Sequence, residues 1–310
     1  MAQKIVVGTR GSKLAMTQTE LVVAQLRAVN PGVEVSISRI NTRGDIDRQI
    51  PLEQVAGEGI FVKELEQALL QGQIDLAVHS LKDMPSQLPA GLCLAAVMER
   101  ANPGDVLVTK GQKLAGLPSG ASVGTGSLRR AAELTTYRPD LKVVSIRGNV
   151  DTRLNKVTRG ELDGVILAAA GLKRLGWEDR ITEYLPIEHF LPAVGQGVLA
   201  IEGRSDEKGC TRIAAPLNHL PTWHCITAER AFLRTLAGGC QAPIAALATI
   251  NDGSLKLEGM VMDVKGNKIL RGSESGTVLH AEEIGVLLAK RLLADGADKF
   301  LSGQGKNENW

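Results

Sequence analysis

Twice along this chain a short apolar run ends in a glycine-rich turn and gives way to helical periodicity. Ile5-Val6-Val7 leads into Gly8-Thr9-Arg10-Gly11-Ser12, and Ser122-Val123 leads into Gly124-Thr125-Gly126-Ser127-Leu128-Arg129-Arg130. A strand that breaks at glycine and restarts as a helix is half of a βαβ unit, and the alternation recurs over the first 200 residues. Strand-like runs are expected at 4–8, 33–40, 74–78, 105–109, 142–146 and 163–169. Helical spacing is expected from Ser12 to Ala28, where Asn30-Pro31-Gly32 stops it, and over 60–71, 127–136, 149–159 and 170–175. Such alternation predicts an α/β architecture with right-handed crossovers and mainly parallel sheets. The last 90 or so residues read differently. A helix over 222–236 is followed by strands at 242–250, 254–262 and 268–277 and a helix over 280–294, with Asn251-Asp252-Gly253 as a hairpin turn. That part is expected to be an α+β domain with a three-stranded antiparallel sheet.

A chain of 310 residues with 44% hydrophobic and 23% charged side chains is expected to form two or three globular domains. No apolar run approaches the roughly 20 residues that cross a bilayer, and Met1 to Gly8 runs straight into a strand without a signal-peptide pattern. Cys93, Cys210, Cys225 and Cys240 form neither a disulfide framework nor a C-x-x-C pair, and histidines 79, 189, 219, 224 and 280 are scattered, so no metal site is expected. A cytoplasmic location fits this cysteine usage. The net charge of +2 hides a local bias, because residues 121–160 hold eight basic side chains, six of them Arg, against three acidic ones. Arginine presents a planar fork matched to carboxylate or phosphate. The segment has one aromatic residue, Tyr137, and no nucleic-acid motif, so nucleic acid is not expected as a partner.

Both glycine turns would set unpaired N–H groups of a helix start at the carboxyl end of a strand, where open α/β sheets bind ligands. Either turn alone is read most simply as a tight turn and helix cap; the two together, with twin Arg in the second and Arg147-Gly148-Asn149 and Arg153 beyond it, point to anion binding. No Walker A loop exists, and Gly195-Gln196-Gly197-Val198-Leu199-Ala200 opens a strand-like run where a dinucleotide fingerprint would open a helix. His79-Ser80-Leu81-Lys82-Asp83-Met84-Pro85 follows the strand at 74–78. Asp83 there suits electrostatic or proton-transfer work, although on the residues alone capping a turn before Pro85 is the simpler reading. Cys240, in Gly238-Gly239-Cys240-Gln241-Ala242-Pro243, falls on a loop, where a thiol can be a nucleophile or merely a small apolar residue.

Seven segments in order resemble the porphobilinogen deaminase (hydroxymethylbilane synthase) family: the two glycine turns, Gly59-Ile60-Phe61-Val62-Lys63-Glu64-Leu65-Glu66, the 78–85 segment, Arg147-Gly148-Asn149-Val150, Leu191-Pro192-Ala193-Val194-Gly195-Gln196-Gly197, and the Cys240 loop. The resemblance implies two like, discontinuous α/β domains of the periplasmic-binding-protein type II kind and a third α+β domain. Its boundaries would be 1–98 with 198–217, 99–197, and 218–310. It implies a transferase that deaminates porphobilinogen and joins four units head to tail into hydroxymethylbilane. Each unit would lose ammonia to give an azafulvene, and the chain would grow on a dipyrromethane cofactor held by a thioether to Cys240. By matching positions, Asp83 and Lys82 would be catalytic and would also contact the cofactor. Thr125, Ser127, Arg129, Arg130 and Arg147 would bind the cofactor, and Arg10, Ser12, Phe61, Arg147, Arg153 and Gln196 the substrate. A monomer without membrane or nucleic-acid partners is implied. The chain departs from many relatives in having Glu58 and Gln54 where they carry lysines. A non-catalytic anion-binding protein of periplasmic type is the alternative, and the missing signal pattern and the Cys240 domain count against it.

Overall fold

The computed structural model describes residues 3–42, 62–205, 210–236 and 243–301. The chain divides into two compact units, Met1–Ala101 with Val198–Trp223 and Asn102–Gly197 with His224–Trp310.

The first unit is built on a five-stranded sheet. Strand β1 (Gln3–Arg10) runs into helix α1 (Lys13–Val29), and β2 (Val33–Ile40), α2 (Lys63–Leu70), β3 (Leu76–Ser80) and β4 (Leu92–Val97) follow. Strand β10 (Leu199–Arg204) returns from later in the chain, giving the order β2-β1-β3-β10-β4. Ile5 and Val7 of β1 are buried under Val22, Val23 and Leu26 of α1. The helix stops at Asn30, whose side-chain amide donates to Leu26 O at 3.0 Å.

The second unit repeats the plan with β5 (Asp105–Thr109), β6 (Ser122–Thr125), α3 (Leu128–Tyr137), β7 (Lys142–Ser145), α4 (Val150–Thr158), β8 (Gly164–Ala168), α5 (Ala169–Arg174) and the short β9 (Glu183–Tyr184). Its order is β7-β6-β8-β5-β9. In each sheet three parallel strands adjoin two pairings that are antiparallel: β10 with β3 and β4, and β5 with β8 and β9. The expectation of mainly parallel sheets therefore needs correction. A strand inserted from a distant part of the chain needs no crossover helix and so is free to enter antiparallel. In the first sheet that strand is β10, from after the second sheet; in the second it is β5, which precedes its parallel neighbours.

Helix α6 (Cys210–Ala214) was not foreseen by periodicity; α7 (Leu220–Thr235) then leads into the three-stranded sheet of β11 (Ile244–Asn251), β12 (Ser254–Met262) and β13 (Ile269–Thr277). Asp252 at φ 49° and Gly253 at φ 77° make the two-residue turn between β11 and β12. One face of this sheet packs Leu255, Leu257 and Val261 against Phe232 of α7 and Leu288 of α8 (Ala281–Ala294). The other packs Ala245, Leu247, Met260 and Met262 against Leu191 and against Ala132 of α3. The fold class is thus two like α/β units plus a C-terminal α+β part with a three-stranded antiparallel sheet. Among the described residues no helix is long and apolar enough to cross a membrane.

Candidate functional site

In the first unit β1 and β3 are parallel neighbours, so the chain leaves both at the same edge of the sheet. After β1 comes the Arg10-Gly11-Ser12 turn. Ser12 caps α1, its hydroxyl accepting from Ala15 N at 3.2 Å, and Thr9 donates to Ala15 O at 3.2 Å. After β3 comes a single 3-10 turn, Leu81–Asp83. Leu81 and Met84 are buried on either side of half-exposed Lys82 and Asp83. The Leu81 N–H donates to Val198 O at 3.0 Å and the Met84 N–H to Leu81 O at 3.1 Å, so the turn is pinned at both ends. Beneath it His79 Nε2 lies 2.9 Å from Glu202 Oε2, both buried. Burial, reinforced by the Glu202 charge, raises the nearby Glu66 carboxyl to about 6. His79 is therefore part of the interior and not of the exposed edge.

The second unit has the same arrangement at the ends of β6 and β7, which are parallel neighbours. Thr125 Oγ1 accepts from Ser127 N at 3.2 Å, and Ser127 is the N-cap of α3. Gly126 lies so close to the end of β7 that a Cβ there would meet Ile146 O at 2.5 Å and Arg153 Nη2 at 3.7 Å. Arg153 donates from Nε to Gly148 O at 2.8 Å, and Arg147 is half-buried just beyond β7.

Arg129 and Arg130 turn inward from α3. Arg129 Nη2 donates to Asp105 Oδ2 at 2.8 Å, and Nη1 donates to Glu133 Oε2 and to Leu191 O, both at 2.7 Å. Arg130 Nη2 donates to Asp105 Oδ1 at 2.6 Å and to Gln196 Oε1 at 3.3 Å, and Nη1 to Ile166 O at 3.3 Å. Gln196 Nε2 donates to Asp105 Oδ1 at 2.8 Å and Pro103 O at 2.6 Å. Burial alone would raise the Asp105 carboxyl, but the two guanidinium charges override it and hold it well below the usual carboxylate range. Burial is decisive for Glu133, which is pushed up to about 8 despite its contact with Arg129.

A guanidinium has five N–H donors. Three are engaged on Arg129 and three on Arg130, and the Nε of each is buried without an acceptor among the described residues. Arg174, at the end of α5, donates to Gly197 O at 2.6 Å, and no carboxylate among the described residues pairs with it. Desolvation lowers its pKa to about 10, which leaves it cationic. Left-over donors on buried and half-buried cations are what a polycarboxylate group such as dipyrromethane requires, so the residues present fit it.

Arg129, Arg130 and Gln196 are brought into one network in the second unit, with Thr125 and Ser127 in the adjoining turn; Arg10, Ser12, Lys82 and Asp83 share a sheet edge of the first. Phe61, Cys240, and the Gln54 and Glu58 positions lie outside the described residues. Asp105, Glu133 and Arg174 were missed. A charge opening the apolar strand Asp105-Val106-Leu107-Val108 was the available signal for the first, and Arg174 lies beyond the arginine-rich segment.

The profile of "Porphobilinogen deaminase, dipyromethane cofactor binding domain" matches residues 5–212, and that of "Porphobilinogen deaminase, C-terminal domain" matches residues 223–294. Among curated proteins, porphobilinogen deaminase of Geobacter sulfurreducens is 48% identical over 296 residues, covering 96% of this chain and 93% of that one. The enzyme of Desulforudis audaxviator is 47% identical, covering 97% and 98%. Among solved structures, the methionine-binding protein MetQ is 13% identical with a TM-score of 0.45, covering 69% of this chain and 89% of that one. Both profiles fall in the order in which the strand-end turns and the C-terminal sheet occur, and together they span nearly the whole sequence: the chain belongs to the porphobilinogen deaminase family.

Proposed function

We propose the following division of labour for the reaction of this family, the deamination and head-to-tail joining of four porphobilinogen molecules into hydroxymethylbilane in tetrapyrrole biosynthesis. When bound, the dipyrromethane group supplies the primer on which the chain of pyrroles is built. Cys240 holds it through a thioether. Lys82, Asp83, Thr125, Ser127, Arg129, Arg130 and Arg147 contact it, the arginines through its acetate and propionate carboxylates. Arg10, Ser12, Phe61, Arg147, Arg153 and Gln196 serve the incoming porphobilinogen, and Arg174 joins them as a half-buried cation without an acid partner among the described residues.

Asp83 is the catalytic carboxylate. An ionised carboxylate accepts hydrogen bonds only, so on its pinned turn Asp83 holds pyrrole N–H groups. It also stabilises the positive charge that develops on the ring as ammonia departs, a preorganised electrostatic contribution. Lys82 neutralises a substrate carboxylate beside it. We place the domain boundaries at 1–98 with 198–217, 99–197 and 218–310; the separate three-stranded sheet of the C-terminal part supports the third domain. A cytoplasmic monomer fits this reading.

The observation that carries it is the buried arginine pair with donors left over next to the strand ends. Intact-mass measurement of the purified protein tests it. The expected result is two pyrrole units of added mass, localised to Cys240 by peptide mapping and absent from Cys240→Ser. Active wild-type protein without that mass would overturn the cofactor assignment.

A further inference from the structure

Glu229 lies in α7 with none of its surface exposed, outside every segment that the family resemblance singled out. Its two oxygens hold two parts of the second unit that are far apart in sequence. Oε2 accepts from Gly195 N at 2.8 Å, and Oε1 accepts from Ala248 N of β11 at 2.8 Å. Such charge-assisted bonds are strong and directional. Gly195 has φ 71°, a conformation that directs its N–H to the carboxylate and that a side chain would resist. The rest of this segment is held too: Pro192 O accepts from Ala246 N at 3.1 Å and Leu191 O accepts from Arg129. The next residue, Gln196, is 1% exposed, and its amide bridges Asp105 and Arg130.

We propose that Glu229 is a positioning residue for substrate binding: by fixing the Gly195 N–H it sets Gln196 against Asp105 and Arg130, and so sets which donors of Arg130 remain for an anion. This rests on the reading of the arginine pair as an anion seat. Glu229 touches no reacting atom; it acts through Gln196. The carboxylate form matters because two backbone donors need two acceptor oxygens. A glutamine side chain in its place would offer one, and would turn an N–H toward the other donor.

The test uses full-length holoenzyme and steady-state kinetics with porphobilinogen for Glu229→Gln, Gln196→Ala, their double variant and Arg130→Lys. Glu229→Gln is expected to raise KM about tenfold while kcat changes by less than about threefold, the signature of lost binding shared by ground and transition states. Gln196→Ala should do the same. The double variant should be no worse than the poorer single one, because residues acting in series are non-additive. A fall in melting temperature with KM unchanged, or effects on KM that multiply, would overturn the proposal. Arg130→Lys separates the two layers. If it raises KM and Glu229→Gln does not, the anion seat stands and Glu229 is only a clamp. If Arg130→Lys leaves KM as it was, the anion seat fails and the proposal with it. Should Glu229→Gln not fold, amide exchange in the wild type decides. A slow Gly195 amide that exchanges faster in Gln196→Ala supports the coupling, and a Gly195 amide unaffected by Gln196→Ala overturns it.

Discussion

Asp105 accepts from Arg129 with one oxygen and from Arg130 and Gln196 with the other, and none of its surface is exposed. Two guanidinium charges thus share one carboxylate, and the fourth charge-bearing group, Glu133, is held un-ionised at neutral pH by its burial. The cluster is net positive, which suits an anion seat. This changes what loss of an arginine does. Arg130→Leu removes a buried countercharge and is expected to destabilise the protein by about 3–5 kcal/mol, measured by chemical denaturation. Adding Asp105→Leu should not recover that stability, because it strips buried Arg129 of its countercharge as well, and it should leave the KM for porphobilinogen raised. A double variant as stable as the wild type would show that Asp105 is not the countercharge of both arginines. The same balance gives a pH dependence. Above about 8 Glu133 ionises and cancels the net positive charge, so KM for porphobilinogen should rise through that range, and Glu133→Gln should remove the rise. Asp83 tests separately. Asp83→Ala is expected to remain folded, since Leu81 and Met84 carry the packing of its turn, and to lose about 10²–10³ in kcat, while retaining the cofactor mass; near-normal turnover would refute its catalytic role.

At the scale of elements the two glycine turns look alike in sequence and differ in tolerance. A Cβ at Gly126 meets the Ile146 backbone oxygen at 2.5 Å, whereas at Gly11 the nearest atom is Asn41 Oδ1 at 3.7 Å. Gly126→Ala must push β6 and the end of β7 apart, so it should lower the melting temperature and the fraction carrying cofactor. Gly11→Ala should fold as the wild type does, and equal losses at both positions would refute the steric account. Periodicity found most of these elements because it reports on a residue's near neighbours: β2 at 33–40 and β5 at 105–109 have the expected bounds. It singled out the turns as candidate anion seats because glycine, hydroxyl and arginine types are visible locally. It missed β4 (Leu92–Val97) and α6, and it made the sheets too parallel, since the direction of β5 and β10 follows from partners distant in the chain. The interior of the site was illegible for the same reason. Asp105 meets Arg129 across 24 residues and Gln196 across 91, and Glu229 meets Gly195 across 34. A spacing argument sees a basic segment there, where the fold makes a buried network, partly compensated by Asp105, with a few donors left over.

At the scale of the whole molecule, each unit buries one carboxyl that resists ionisation: Glu66 in the first, raised to about 6 chiefly by burial, and Glu133 in the second, raised to about 8 by the same cause. Both lie above the ordinary value of 4.5. The folded state therefore binds a proton more tightly than the unfolded chain does at each site. The stability these protons contribute is complete below about 4.5 and is lost as pH rises, first through 6 and then through 8. Carboxylates lowered by partners act in the opposite sense: Asp105, held down by its arginines against its own burial, and Asp163, held down by the Ser122 backbone and hydroxyl, lose their contribution as pH falls below the usual carboxylate range. Stability should accordingly peak on the mildly acidic side, decline most steeply up to about pH 6 and more gently from there to about 8. Melting temperature measured from pH 4.5 to 9 reads this directly. Glu66→Gln should lessen the decline below about pH 6, and Glu133→Gln the decline that continues up to about 8. The double variant should melt several degrees above the wild type at pH 9, a shift expected from about 1–2 kcal/mol in a chain this size, with little difference at pH 4.5. Where two transitions are seen, Glu66→Gln should move one and Glu133→Gln the other, because the two carboxyls belong to different units. A melting temperature independent of pH over this range, or variants that melt lower at every pH, would show that neither proton is held in the interior.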